Sequence, residues 1–225
     1  MAELYLIRHG QASYGAANYD KLSDLGHQQA RWLGEYYQRQ GLEFGHVLTG
    51  SMVRHQETAA GICEGLGLPT QDFDVHSGLN EFDFTAIAGA YLELFPEQNP
   101  DENAPRSEFY RLLKKAMLAW SQNKLPGELP ESWSGFEARV QAALHHIQSL
   151  SDKKRVLVVS SGGAMAMAMK IVLQSSAESV IELNLQTRNT GVSHYFFNNN
   201  SIRLSGYNHT PHLEAPEFQH AVTFS

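Results

Sequence analysis

The sequence predicts a three-layer α/β/α domain whose sheet is largely parallel with an antiparallel edge. Three observations predict it. Short apolar runs of strand length alternate with longer segments of helical period. The runs Leu4-Tyr5-Leu6-Ile7 and Val156-Leu157-Val158-Val159 are apolar throughout, as strands covered on both faces are. The last two strand-like runs are joined by Asn198-Asn199-Asn200, which reads as a hairpin turn. The 225 residues suit one domain spanning 1–225, long enough to build a full core without disulfides.

The elements follow in order. Leu4 to Ile7 opens the chain as a buried strand, and a polar, glycine-containing loop runs from Gly10 to Lys21. Ser23 reads as an N-cap, with Leu25, Gln29, Leu33, Tyr36 and Tyr37 carrying a helical period to about Gln40. Val47-Leu48-Thr49 is a second strand. Ser51 is expected to cap a helix that Gly67 and Pro69 stop. Residues 73–133, punctuated by Gly78, Pro96, Pro100, Pro105, Pro126 and Pro130, read as a mostly helical insertion over the sheet and the active site. Trp120, Trp133 and Tyr110 are expected to pack it. Residues 134–150 form another amphipathic helix. After the Val156 strand, Gly162-Gly163 opens a helix to about Leu173, in which Met165, Met167 and Met169 serve packing. Strands are expected at 180–185, 192–197 and 202–207.

Composition excludes several classes. Seventeen Lys and Arg against 24 Asp and Glu give a formal charge of −7 at pH 7. That balance disfavours a nucleic-acid or anionic-membrane binder but allows a local basic pocket. The single cysteine, Cys63, forms no internal disulfide and reads as a small buried hydrophobe. No apolar run approaches the ~18 residues of a membrane span. Glu3 and Arg8 bracket the first apolar run, which is unlike a signal peptide, so a cytoplasmic location is expected.

Four segments carry residues suited to chemistry. Arg8-His9-Gly10 follows the first strand, and ligands bind at the carboxyl ends of strands in open α/β sheets. A guanidinium offers phosphate a planar fork, and an imidazole nitrogen is a nucleophile. The same tripeptide also fits a surface Arg–His pair. Arg54 lies in the first turn of the helix after the second strand, where a helix N-terminus favours an anion; alone it reads equally as a solvated helix residue. Ser160-Ser161-Gly162-Gly163 opens a third helix, either as an anion nest or as a plain serine cap with close-packing glycines. Glu81 and Asp83 sit among apolar residues, where the charged carboxylate is disfavoured and a general acid is favoured; an exposed loop carboxylate is the simpler reading. Taken together, two arginines, a histidine, a helix-start nest and an acid describe a phosphoryl-transfer pocket that needs no metal and no cofactor. The arginines offset the roughly 1.5–2 charges of a phosphate monoester. His9 attacks phosphorus, and Glu81 protonates the leaving oxygen, a role worth roughly 10²–10⁴ in rate.

On these residues the chain resembles the histidine phosphatase superfamily, also called phosphoglycerate mutase-like. Leu6-Ile7-Arg8-His9-Gly10-Gln11 resembles its signature, which implies His9 as the phosphorylated residue. Residues 22–30, from Leu22-Ser23-Asp24, resemble the first-helix pattern. Ser51-Met52-Val53-Arg54-His55-Gln56-Glu57-Thr58-Ala59 resembles the segment supplying a second phosphate arginine, Arg54. Leu79-Asn80-Glu81 resembles the segment of the proton donor, Glu81. One departure stands out. The family usually has Ser-His-Gly-Gly after the third of these strands, and here the histidine position is Ser161. A serine gives one hydrogen bond and no charge, so transition-state stabilisation is expected to weaken unless another group compensates. His209 and His212 are candidates for that group, although a structural or surface role suits both; His76 is expected to have none. The resemblance implies phosphate binding by Arg8, Arg54, Ser161 and Gly162.

Mutases of the family resemble Arg-His-Gly-Glu-Ser-x-Trp-Asn at the first loop. This chain reads Arg8-His9-Gly10-Gln11-Ala12-Ser13-Tyr14-Gly15, with Gly15 at the asparagine position. Hydrolysis of a small phosphorylated substrate to inorganic phosphate is therefore expected ahead of mutase transfer. A catalytically weak phospho-ligand binder is the alternative that Ser161 motivates.

Overall fold

A computed structural model of the chain describes residues 1–13, 20–69, 72–101 and 103–224. Tyr14 and Gly15, which bear on the mutase comparison, lie outside the described residues. The two wholly apolar runs form the middle of the sheet, as β1 (Ala2–Arg8) and β4 (Arg155–Ser160). They pair in parallel from Glu3↔Arg155 to Arg8↔Ser160. Because side chains alternate across a strand, Leu4, Leu6, Val156 and Val158 enter one core. Ile7, Leu157 and Val159 enter a second core on the other face. Neither strand has a solvent face, which is why neither shows a polar alternation.

The remaining strands are β2 (His46–Thr49), β3 (Asp74–Val75), β5 (Val192–Asn198) and β6 (Ser201–His209). Among the described residues the sheet order is β3-β2-β4-β1-β5-β6. The first four strands run parallel; β5 and β6 complete an antiparallel edge. Helices α1 (Asp24–Arg39) and α2 (Val53–Gly65) cover one face. The other face is covered by α3 (Phe84–Leu94), α4 (Arg106–Ser121), α5 (Trp133–Ser149), α6 (Gly162–Leu173) and α7 (Ala177–Gln186).

The sequence reading needs three corrections. The expected strand at 180–185 is helix α7. Ala177, Val180, Ile181 and Leu183 pack on the core at helical spacing, and Ser176 Oγ caps the first turn by accepting from Ser179 N. Ser51 does not cap α2: the N-cap is Met52, and the Val53 N–H donates instead to Asp20 Oδ2 at 3.0 Å. The segment expected as a helical insertion begins with β3, which pairs with β2 at the sheet edge. The rest of that segment is tied into the main core: Trp120 is buried, stacked on Phe136 at 5.6 Å and edge-on to Trp133 at 5.1 Å. Met165, Met167, Met169 and Cys63 are buried. Among the described residues, no helix is long and apolar enough to cross a membrane.

Candidate active site

Three adjacent parallel strands, β2, β4 and β1, end within one residue of one another: Arg8 is opposite Ser160, and Thr49 is opposite Val159. Their next residues, Gly50, Ser161 and His9, therefore converge at the carboxyl edge of the sheet, where the chain leaves the hydrogen-bond ladder and its side chains are released to a ligand. His9 stays anchored by main-chain bonds. Its N–H donates to Ser160 O at 2.9 Å, and its carbonyl accepts from Thr190 N at 3.3 Å and Asn189 Nδ2 at 3.2 Å.

The imidazole of His9 is 5 % exposed, and its Nδ1 lies 2.7 Å from Gly10 O. A carbonyl only accepts, so Nδ1 carries the hydrogen and the neutral ring keeps its lone pair on Nε2. Burial holds His9 well below the ordinary histidine range, and the Arg8 and Arg54 guanidiniums and His55 push in the same direction. The ring is thus uncharged, with an unprotonated nitrogen, and close to two cations.

Each arginine is oriented. Arg8 Nη1 donates to the carbonyls of Thr187 and of Phe224, the latter at 2.7 Å. Arg54 is 5 % exposed, and its Nη1 pairs with Asp20 Oδ1 at 2.8 Å. Asp20 thereby ties Arg54 to the start of α2. Thr58, one turn on, accepts from Gly10 N at 3.0 Å and donates to Arg54 O at 2.7 Å, which links the loop after β1 to the helix that carries Arg54.

Glu81 reaches the same edge from the loop after β3. Its Oε2 accepts from Gly163 N at 3.1 Å and its Oε1 from Phe82 N at 3.3 Å. The start of α6, read either as an anion nest or as a plain serine cap, thus holds a carboxylate of this chain. Gly163 makes room for it, since a Cβ there would stand 2.2 Å from Glu81 Oε1. Gly162 lies beside Asn184 and Arg8: a Cβ on it would come within 2.7 Å of Asn184 Oδ1 and 3.5 Å of Arg8 Nε.

Ser161 occupies the N-cap position of α6, yet its side chain makes no capping bond. Its Oγ lies 2.6 Å from His55 Nε2, and both residues are fully buried. The His55 ring sits 5.8 Å from that of His9, and burial, with Arg54 adding to it, lowers its pKa to about 3. Sequence reasoning missed His55. The signal was its place directly after Arg54, in the first turn of a helix that starts at the sheet edge. It also missed Asp20, Thr58 and Asn189.

The histidines first considered to compensate for Ser161 lie elsewhere. His212 is buried, with Nε2 2.8 Å from Thr190 Oγ1, and burial lowers its pKa to about 3. His209 helps line a cavity of about 270 Å³ with Tyr5, Tyr36 and Tyr37. His76 caps a turn by accepting from Gly78 N.

Comparison with known proteins agrees with this fold. The model of the histidine phosphatase superfamily (branch 1) matches residues 4–210. A protein of Salmonella choleraesuis named probable phosphoglycerate mutase GpmB is 26 % identical over 96 % of this chain and 97 % of its own. Among solved structures, the phosphoserine phosphatase of Entamoeba histolytica in complex with 3-phosphoglyceric acid superposes with a TM-score of 0.66 at 21 % identity, covering 95 % of this chain and 100 % of that one. The phosphoglycerate mutase of Bacillus anthracis gives 0.67 at 17 % identity, covering 94 % of each. Apart from Ala2 and Glu3 at the start of β1, the strands described above lie within the family match, and the chain belongs to the histidine phosphatase superfamily, branch 1.

Proposed function

We propose that this protein hydrolyses phosphate monoesters through a phosphohistidine on His9. The observation that carries the reading is the state of that ring: held by Nδ1 on Gly10 O, kept from protonation by burial and by the charges of Arg8 and Arg54, and so left with its lone pair on Nε2. Arg8 and Arg54 take the phosphoryl oxygens and offset the charge gathered there. Nε2 attacks phosphorus, the P–O bond to the leaving group breaks, and protonated Glu81 gives its proton to the departing oxygen. Water then attacks the phosphohistidine, the P–N bond breaks, and Glu81 takes the water proton back. Inorganic phosphate leaves, and His9 is regenerated. Ser161 contributes a hydroxyl to the phosphoryl site, and the segment after Glu81 flanks the leaving group.

The test is hydrolysis of an aryl phosphate without added metal, by this protein and by His9→Ala, with quenched samples examined for acid-labile phosphate on the protein. The expected result is turnover and labelling that His9→Ala abolishes. Equal turnover by both proteins overturns the reading. Tight binding of a phosphate ester with no product above blank replaces it with a binding function. The relative named as a probable mutase supports a second reading, transfer within phosphoglycerate. Incubation with 3-phosphoglycerate separates the two, since a mutase yields the 2-isomer and a phosphatase yields free phosphate.

A further inference from the structure

The mechanism above leaves one buried titratable side chain beside the nucleophile unused. His55 is fully buried and next in sequence to Arg54, and the only hydrogen bond of its ring among the described residues goes to Ser161 Oγ. The place is built for it. A Cβ on Gly50 would come within 2.2 Å of His55 Nδ1, so the glycine that follows β2 leaves space for this ring. Ser161, for its part, is not used to cap α6.

We propose that His55 is a positioning residue that acts through Ser161: His55 Nε2–H donates to Ser161 Oγ, and the Ser161 hydroxyl proton is thereby turned to a phosphoryl oxygen held beside His9. The proposal rests on the phosphoryl-transfer reading of the pocket. Its direction follows from donors and acceptors. The Nδ1 of His55 has no hydrogen-bond partner among the described residues. Placing the ring hydrogen on Nδ1 would bury an unpaired donor and would draw the serine proton onto Nε2, away from the pocket. Placing it on Nε2 pairs the donor and leaves the hydroxyl proton for the ligand. Burial keeps the ring neutral at physiological pH, so His55 supplies a dipole in a dry site, where such a relay is stronger than in water. The imidazole that Ser161 lacks is thus supplied one shell further out, from α2.

Four variants and three readouts test this. His55→Ala and Ser161→Ala are each expected to lower kcat on an aryl phosphate roughly 10- to 100-fold with KM changed by less than about 3-fold. The double variant is expected to be no slower than the slower single one, because both remove one relay. His55→Gln, which keeps an N–H donor at similar reach, is expected to retain activity within a few-fold. Multiplicative losses in the double variant, or a His55→Gln protein that folds yet is as slow as His55→Ala, would overturn the proposal. A ¹⁵N spectrum of the unmodified protein reads the tautomer independently of turnover, and a ring proton on Nδ1 of His55 sinks the relay. If the parent protein shows no turnover, the hydrolysis reading fails by itself. Inorganic phosphate affinity by calorimetry then decides the relay: equal, non-additive weakening by the two alanine variants supports it, and unchanged affinity refutes it.

Discussion

At the scale of single residues, the site depends on histidines kept uncharged. His9 is buried against Arg8 and Arg54, and each of these disfavours its imidazolium form. As the pH falls, this ring therefore takes up its proton well after a free histidine, which titrates near 6.5, has done so. A proton NMR titration of His9 is expected to show no inflection near 6.5. An ordinary inflection there would mean the ring is solvated and not held as described. Residue identity explains why most of this pocket could be read in the sequence. Arg8, His9, Arg54, Glu81 and Ser161 each adjoin a recognisable strand end or helix start. His55 could not be read in the same way. Its role depends on a contact with Ser161, 106 positions away, and sequence alone does not show which way a helical side chain faces.

At the scale of elements, the start of α6 holds Glu81 with one backbone N–H and with the space of a missing Cβ. Gly163→Ala would favour helix by about 1 kcal/mol from intrinsic propensity alone, but its methyl would displace the Glu81 carboxylate. The expected outcome is a substrate-dependent loss: about 100-fold in kcat for an alkyl phosphate, whose leaving oxygen needs a proton, and far less for p-nitrophenyl phosphate. Equal losses on both substrates would mean that Glu81 is not the proton donor. The same scale shows where the sequence was ambiguous. Val180-Ile181 beside Leu183 and Leu185 suits a strand by composition. What decides for helix is tertiary: the Ser176 cap, the packing of Val180 and Ile181 on the core, and Lys114 of α4 meeting Glu182 at 2.7 Å. Ser176→Ala is expected to cost about 1 kcal/mol in a urea titration. The N-terminus of α2 was misread for a related reason, since Asp20 caps it from a distant loop and Ser51 is bonded to Asn80.

At the scale of the whole molecule, three buried neutral histidines set how the fold responds to acid. His9, His55 and His212 all have folded-state values below the ordinary 6.5, the last two near 3. In the unfolded chain each titrates near 6.5, so below that pH the unfolded state binds more protons and stability falls as pH falls. At pH 5 the unfolded chain gains about 1.5 pH units of protonation free energy per histidine, or about 2 kcal/mol for each of His55 and His212. Asp74 has the opposite sign. Its carboxyl, which accepts from His46 and His146, is held below 3.8, so its contribution is lost only at still lower pH, outside this window. Against a typical domain stability of 5–15 kcal/mol, a loss of about 4 kcal/mol is large. Urea midpoints are therefore expected to fall steeply between pH 7.5 and 5. His212→Gln tests the attribution, because glutamine can keep the bond to Thr190 Oγ1 without a titrating ring. Its stability is expected to fall less steeply over the same range, by about 2 kcal/mol. A variant with the parent's pH slope would place the acid sensitivity elsewhere in the molecule.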